Sequence, residues 1–179
     1  MDLFKTERLA VRYLKESDLE LFYDMQSNFK VMQFIKPKMN LEESQKELNR
    51  FIAYYYKNNF NIWAVTKQET NLLIGICGVY ENAKKEFEIA YRLREQFWGK
   101  GYGREMARGL IQYCFEETNI ELLKAYVRTA NVGSIQILKQ EMAYKYSFVE
   151  TKTQQEEQVY ELRKQDWSRL LVKKKNAPK

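Results

Sequence analysis

Residues 8–14, "RLAVRYL", alternate Leu9, Val11 and Tyr13 with Arg8, Ala10 and Arg12, a period of two that suits a half-buried strand. The spacing then changes. Ser17 and Glu20 stand at capping-box separation, and Leu19, Leu21, Phe22 and Met25 trace one helical face. A second such pair, Asn40 and Glu43, precedes a stripe of Leu41, Leu48, Ile52 and Tyr55, predicting a helix to about Lys57.

Three strand-like runs follow, "FNIWAVT", "LLIGICGVY" and "FEIAYRL", joined by turns ("KQETN", "ENAKK") short enough for antiparallel hairpins. From Gly103, the spacing of Met106, Ala107, Leu110, Ile111, Cys114 and Phe115 predicts an amphipathic helix ending near Asn119. "LLKAYVR" (122–128) reads as a strand, "SIQILKQEM" (134–142) as a short helix, and "YKYSFVET" with "EQVYELR" as a last hairpin. The predicted order is β-α-α-β-β-β-α-β-α-β-β, a mixed α/β (α+β) arrangement.

Length and composition, 179 residues with 45% hydrophobic, fit one domain, taken as 1–170, followed by a basic tail at 171–179 expected to be flexible. No apolar run approaches the roughly 20 residues of a membrane span, and "MDLFKTERLA" lacks a secretory apolar region, so no membrane partner and a cytoplasmic location are expected. Cys77 and Cys114 lie in apolar segments without CxxC spacing and are read as reduced core thiols. The formal charge is +6, but four of the lysines lie in the last seven residues, leaving the body at +2. Nucleic acid is therefore not the expected partner. The chain has no histidine, which excludes Ser-His-Asp and Cys-His catalysis and His-containing metal sites; two cysteines are too few for an all-thiolate zinc site. No metal is expected.

Three of the seven glycines, Gly99, Gly101 and Gly103, fall in "WGKGYGR" between a strand and a helix. A glycine turn feeding a helix start offers main-chain N–H groups and a partial positive charge to an anion, with Lys100 and Arg104 at the rim. Counting from Gly99, the sixth position of a dinucleotide fingerprint is Arg104 instead of glycine, and no GxxxxGK[ST] exists. A nicotinamide cofactor and a P-loop are both disfavoured.

The chain resembles the GNAT superfamily of N-acetyltransferases, and within it the branch related to ribosomal-protein N-terminal (alanine) acetyltransferases. The stretches that carry this are "TERLAVRYLKESDLELFYDM", "EIAYRLREQFWGKGYGREMARGLIQYCF" and "YVRTANVGSIQIL". The resemblance implies a mostly antiparallel central sheet of about seven strands flanked by about four helices. It implies acetyl-CoA as cosubstrate, and as acceptor the primary amine of a protein N-terminus or a small molecule. A homodimer is also compatible. The chain departs from the wider family in having Trp98 where a Gln or Arg is usual, and "QEMAYKYSF" where relatives read Lys-Leu-Gly-Phe.

N-acetyl transfer needs an amine that is neutral when it attacks the thioester, a donor for the developing oxyanion and a proton for the thiolate. By resemblance the carboxylate is Glu88, with Glu86 its rival on the same strand face, and water a third route. Main-chain groups along Ala90 to Leu93, hence Tyr91, Arg92 and Leu93, would hold the pantetheine arm. Amides from Trp98 through Gly99, Lys100, Gly101, Tyr102 and Gly103 to Arg104 would hold the diphosphate. Asn131 would fix the arm and Ser134 would assist the thiolate, although both also suit helix capping. Relatives carry a tyrosine where this chain has Leu138, leaving Tyr144 and Tyr146 as alternatives. Met32, Phe34, Ile35 and "FIAYYY" (51–56) mark the acceptor region, with core packing the competing reading. A noncatalytic acyl-CoA sensor remains the alternative function.

Overall fold

Strands β1 (Asp2–Lys5), β2 (Leu9–Arg12), β3 (Ile62–Lys67), β4 (Leu73–Glu81), β5 (Phe87–Leu93), β6 (Leu122–Arg128), β7 (Ala143–Glu150) and β8 (Gln155–Arg163) form one sheet ordered β1-β2-β3-β4-β5-β6-β8-β7. The helices are α1 (Leu19–Ser27), α2 (Phe29–Met32), α3 (Leu41–Tyr54), α4 (Tyr102–Glu117), α5 (Val132–Glu141) and α6 (Lys164–Lys175). This computed structural model describes residues 2–57 and 61–175, with side chains as far as 169. Pairing is antiparallel between β1, β2, β3 and β4 and between β6, β8 and β7, while β5 and β6 run parallel with Glu88 opposite Lys124. The expected mixed, mostly antiparallel fold is present, with eight strands instead of about seven and six helices instead of about four among the described residues. Contacts gather the chain into two compact units, Met1–Tyr80 with Ile89–Leu110, and Glu81–Glu88 with Ile111–Lys179.

In the first unit, Phe22 and Met25 of α1, Met32 of α2, and Leu48 and Phe51 of α3 cluster with Ile62 and Ala64 of β3 and Leu73 and Ile76 of β4. β3 and β4 are buried along almost their whole length, which is why their sequences read as continuous apolar runs. Close strand packing also fixes Gly78, since a Cβ there would stand 1.9 Å from the Asn61 carbonyl oxygen. The Asn40 and Glu43 capping box forms as predicted: each side chain accepts the other's main-chain N–H, at 2.9 and 2.8 Å.

The Ser17 and Glu20 box does not form. β2 is buried on both faces, Arg12 included, so the half-buried alternation expected of it fails. A buried guanidinium needs a carboxylate. Asp18 supplies it with two bonds of 2.8 Å, and also accepts from Lys15 N in the 3-10 turn Glu16–Asp18 that leads into α1.

In the second unit β6 keeps strict alternation, burying Leu123, Ala125 and Val127 and leaving Lys124, Tyr126 and Arg128 half-buried. α6 was not anticipated. Trp167 on it lies 5.5 Å, centroid to centroid, from Phe115 of α4. Its backbone continues through positions 171–175, which the sequence reading assigns to the tail; positions 176–179 lie outside the described residues. β1 and α2 were also missed, each being only four residues long. Cys77 and Cys114 are free and buried, and burial pushes the Cys114 thiol up to about 12. Among the described residues no helix is long and apolar enough to cross a membrane, and no group of ligating side chains is placed to hold a metal ion.

Candidate active site

β5 passes through a 3-10 turn, Glu95–Phe97, into the glycine segment and α4. Gly99 and Gly101 have φ of 72° and 80°, the left-handed region that penalises any residue with a Cβ. Glu105 N donates to Gly101 O at 3.1 Å as α4 begins, so the amides of Tyr102 and Gly103 have no helical carbonyl to bond. Nothing within 4 Å would meet a Cβ on Gly99. Tyr102 is buried beneath this turn, and the side chains of Trp98, Lys100 and Arg104 are exposed.

The turn is braced by residues that sequence reasoning missed. Arg8 donates from Nη1 to Lys100 O at 3.1 Å, and its guanidinium lies 4.4 Å from the Tyr102 ring centroid. Glu105 then holds Arg8 through Nε at 2.6 Å and the main-chain N at 2.7 Å, and accepts from Thr6 Oγ1 at 2.6 Å. Burial alone would raise the Glu105 carboxyl; the donors Thr6 and Arg8 outweigh it and hold it below the usual range. The available signal was an acid in the first turn of α4, where the helix dipole favours one. The Trp98 indole donates to Leu93 O at 2.9 Å, tying the turn back to the end of β5. Trp98 thus has a local anchoring role at the end of β5.

Tyr91 and Arg92 of β5 are half-buried, Leu93 is buried. Arg92 donates from Nη1 to Gln26 Oε1 at 2.8 Å. All of these groups, from Ile89 to Arg104 with Thr6, Arg8 and Gln26, belong to the first unit.

The two rival carboxylates belong to the second unit and differ in chemistry. Glu86 accepts from Lys124 Nζ at 2.7 Å, from Tyr126 OH at 2.5 Å and from Asn82 Nδ2 at 3.4 Å. Burial works to raise its pKa, but the bonds from Lys124, Tyr126 and Asn82 together hold it down to about 2. Such a carboxylate has little affinity for a proton near neutrality. Glu88 accepts from Asn82 Nδ2 at 3.3 Å, while the Lys124 ammonium bonds Glu86 and, at 2.9 Å, Glu161. Lys124 and Tyr126 were legible only as the polar alternates of β6.

Asn131 is the N-cap of α5, its side-chain oxygen accepting from Ser134 N at 3.2 Å, so the two predicted residues share one helical turn. Leu138 is core. Tyr144 and Tyr146 stand exposed on β7, with Tyr144 OH 3.1 Å from Ser147 Oγ. Of the predicted acceptor residues, Met32 and Phe51 are in the core, and Ile35, Tyr54 and Tyr56 are exposed.

A family profile described as "Acetyltransferase (GNAT) domain" matches residues 8–141. By sequence the chain is similar to the "Uncharacterized N-acetyltransferase p20" of Bacillus licheniformis, 27% identical over 142 residues covering 77% of this chain and 80% of that one. It is also similar to the "Uncharacterized N-acetyltransferase YoaA" of Bacillus subtilis, 25% identical over 140 residues covering 76% and 79%. Among solved structures, a GNAT-family acetyltransferase of Bacillus anthracis superposes with a TM-score of 0.81 at 20% identity, over 90% of this chain and 98% of that one. The ribosomal L7/L12 alpha-N-protein acetyltransferase RimL, in complex with coenzyme A, superposes with a TM-score of 0.79 at 16% identity, over 91% and 98%. Spermidine N-acetyltransferase of Vibrio cholerae, in complex with CoA and spermine, gives 0.76 at 17% identity, over 90% and 98%. With its strand, glycine turn and helix in place and a family match across most of its length, this chain belongs to the GNAT acetyltransferase family.

Proposed function

We propose that the protein transfers an acetyl group from acetyl-CoA to a primary amine, either a protein N-terminus or a small molecule, by direct attack of the amine on the thioester. The observation that carries this reading is the pair of left-handed glycines, Gly99 and Gly101, set immediately before α4 in a GNAT-family chain. Their shape fits an anion approaching main-chain amides, since a Cβ at either position would be strained and would obstruct that approach. In this reading the amides of residues 98–104 hold the diphosphate, main-chain groups of Tyr91 to Leu93 hold the pantetheine arm, and Asn131 assists from α5. Leu93 O already accepts the Trp98 indole, so the N–H groups of this stretch carry more of that duty than its last carbonyl. Acetyl-CoA, when bound, supplies the activated acyl group.

Glu88 accepts the amine's proton, directly or through water. Glu86 is the weaker candidate for this role, because the lysine, tyrosine and asparagine bonds hold its carboxyl near 2 and leave it a weak base. Ser134, at the start of α5, orients the leaving thiolate, a modest task because a thiol needs little help to leave near neutral pH.

A thiol-release assay with acetyl-CoA and a panel of N-terminal peptides, diamines and amino acids tests the proposal. Amine-dependent release of CoA with a matching acetylated product is expected. Tight acetyl-CoA binding without release against any amine would overturn it in favour of a noncatalytic acyl-CoA sensor.

A further inference from the structure

Arg92 carries a charge that the protein does not neutralise. Alternation along β5 places it on the face of Ala90, beside the main-chain stretch assigned above to the acyl donor. Its Nη1 donates to Gln26 Oε1 at 2.8 Å and lies 3.1 Å from Met32 Sδ, and among the described residues it forms no ion pair. Nε and Nη2 make no bond to the described residues, and the one buried polar side-chain atom there without a partner is Arg12 Nε. The Nε and Nη2 edge of this half-buried residue is therefore uncommitted among the described residues.

Nearby charge does not cancel it. Glu47, 6% exposed at its side chain, bonds Lys36 and also Arg50 at 3.3 Å, and accepts from Gln26 Nε2. The buried Gln26 amide is thereby fixed in one orientation, with Nε2 on Glu47 and Oε1 on Arg92. It acts as an adaptor that secures one side of the guanidinium and leaves the other uncommitted. Lys36 and Arg50 thus occupy the Glu47 carboxylate, and Arg92 reaches it only through the Gln26 amide, all within the first unit. Arginine cannot relieve the imbalance by losing its proton. Half-buried charge of this kind is costly unless something completes it.

An Nε and Nη2 edge matches a carboxylate by two parallel hydrogen bonds. Coenzyme A's diphosphate is assigned above to the turn at 98–104, and the pantetheine arm assigned to Tyr91 to Leu93 carries no charge, so this edge is left for the acceptor. We propose that the acceptor amine carries a carboxylate, that Arg92 binds it side-on, and that cationic polyamines are poor substrates. The inference rests on the acetyl-transfer reading and narrows its substrate class.

The test compares matched acceptors: γ-aminobutyrate with its carboxamide and with putrescine, and N-terminal peptides rich in glutamate with their glutamine counterparts. In the wild-type protein the carboxylate member of each pair is expected to have kcat/KM at least about tenfold higher. Arg92→Gln removes the preference, chiefly through KM, and Arg92→Lys, which keeps the charge but not the fork, restores only part of it. Equal rates across the pairs, or a preference that survives Arg92→Gln, overturns the inference while leaving acetyl transfer intact. Should no amine release CoA, the acetyl-transfer reading fails by itself. A proton–nitrogen NMR titration with glutarate then decides the anion site: a saturable shift of the Arg92 Nε–H upholds it, and an unmoved resonance removes it.

Discussion

Lys124 Nζ stands 2.7 Å from Glu86 Oε1 and claims one of the two carboxylates that sequence alone left as rivals. The bond joins the polar alternates of neighbouring segments, with Tyr126 OH closing on the same carboxylate from two residues further along β6. Their positions explain why Glu86 belongs to the architecture and Glu88 to the proposed chemistry.

Replacing Glu86 by Gln keeps shape and removes the charge. A loss of about 1–3 kcal/mol in unfolding free energy at neutral pH is expected, typical of a charged hydrogen-bonded group. The carboxyl sits near 2 when folded, below the ordinary 4.5, so its stabilisation is complete above about 4.5 and fades as pH falls toward 2. Urea unfolding of both proteins across that range measures it; a gap that widens on acidification contradicts the assignment.

Glu88→Gln acts on rate. With the base gone, reaction depends on whatever amine is already neutral, a fraction that shrinks as pH drops. Turnover is expected to fall about 100-fold, within the range for general bases, with the deficit largest at mildly acidic pH and CoA affinity unchanged. Parallel pH profiles for variant and parent would remove Glu88 from the role.

Asn131 and Ser134 separate a cap from a catalytic aid. Asn131→Ala deletes the acceptor of the Ser134 N–H and is expected to cost about 1 kcal/mol in stability while weakening CoA binding. Ser134→Ala leaves that N–H in place and is expected to reduce turnover with little change in melting temperature. Comparing thermal unfolding and kcat for the two variants checks the division; a silent Ser134→Ala would confine that turn to capping.

Much of this was readable in the sequence because the signals were local. The glycine spacing at 99 and 101, the Asn40 box and the β6 alternation each depend on neighbours within a few residues. What escaped was set by partners far along the chain. Asp18 gave no sign of its role because nothing local says that Arg12 is buried. Arg8 gave no sign that it reaches Lys100 O, 92 positions away, and Glu105 meets Thr6 across 99. The Gln26 link between Glu47 and Arg92, on which the proposed acceptor preference rests, was hidden for the same reason, since it joins three separate elements.

The central claim is that the left-handed turn before α4 grips the coenzyme's diphosphate, and calorimetric titration of CoA measures it most directly. Gly101→Ala places a Cβ 3.3 Å from Arg8 Nη2 at φ of 80°. That conformation costs about 1–2 kcal/mol for an L residue and intrudes where the phosphates would approach. Saturable binding by the parent and a dissociation constant raised about tenfold or more in a variant that still melts cooperatively are the predicted results. Equal affinity in the two proteins, or no binding by the parent, would contradict the account.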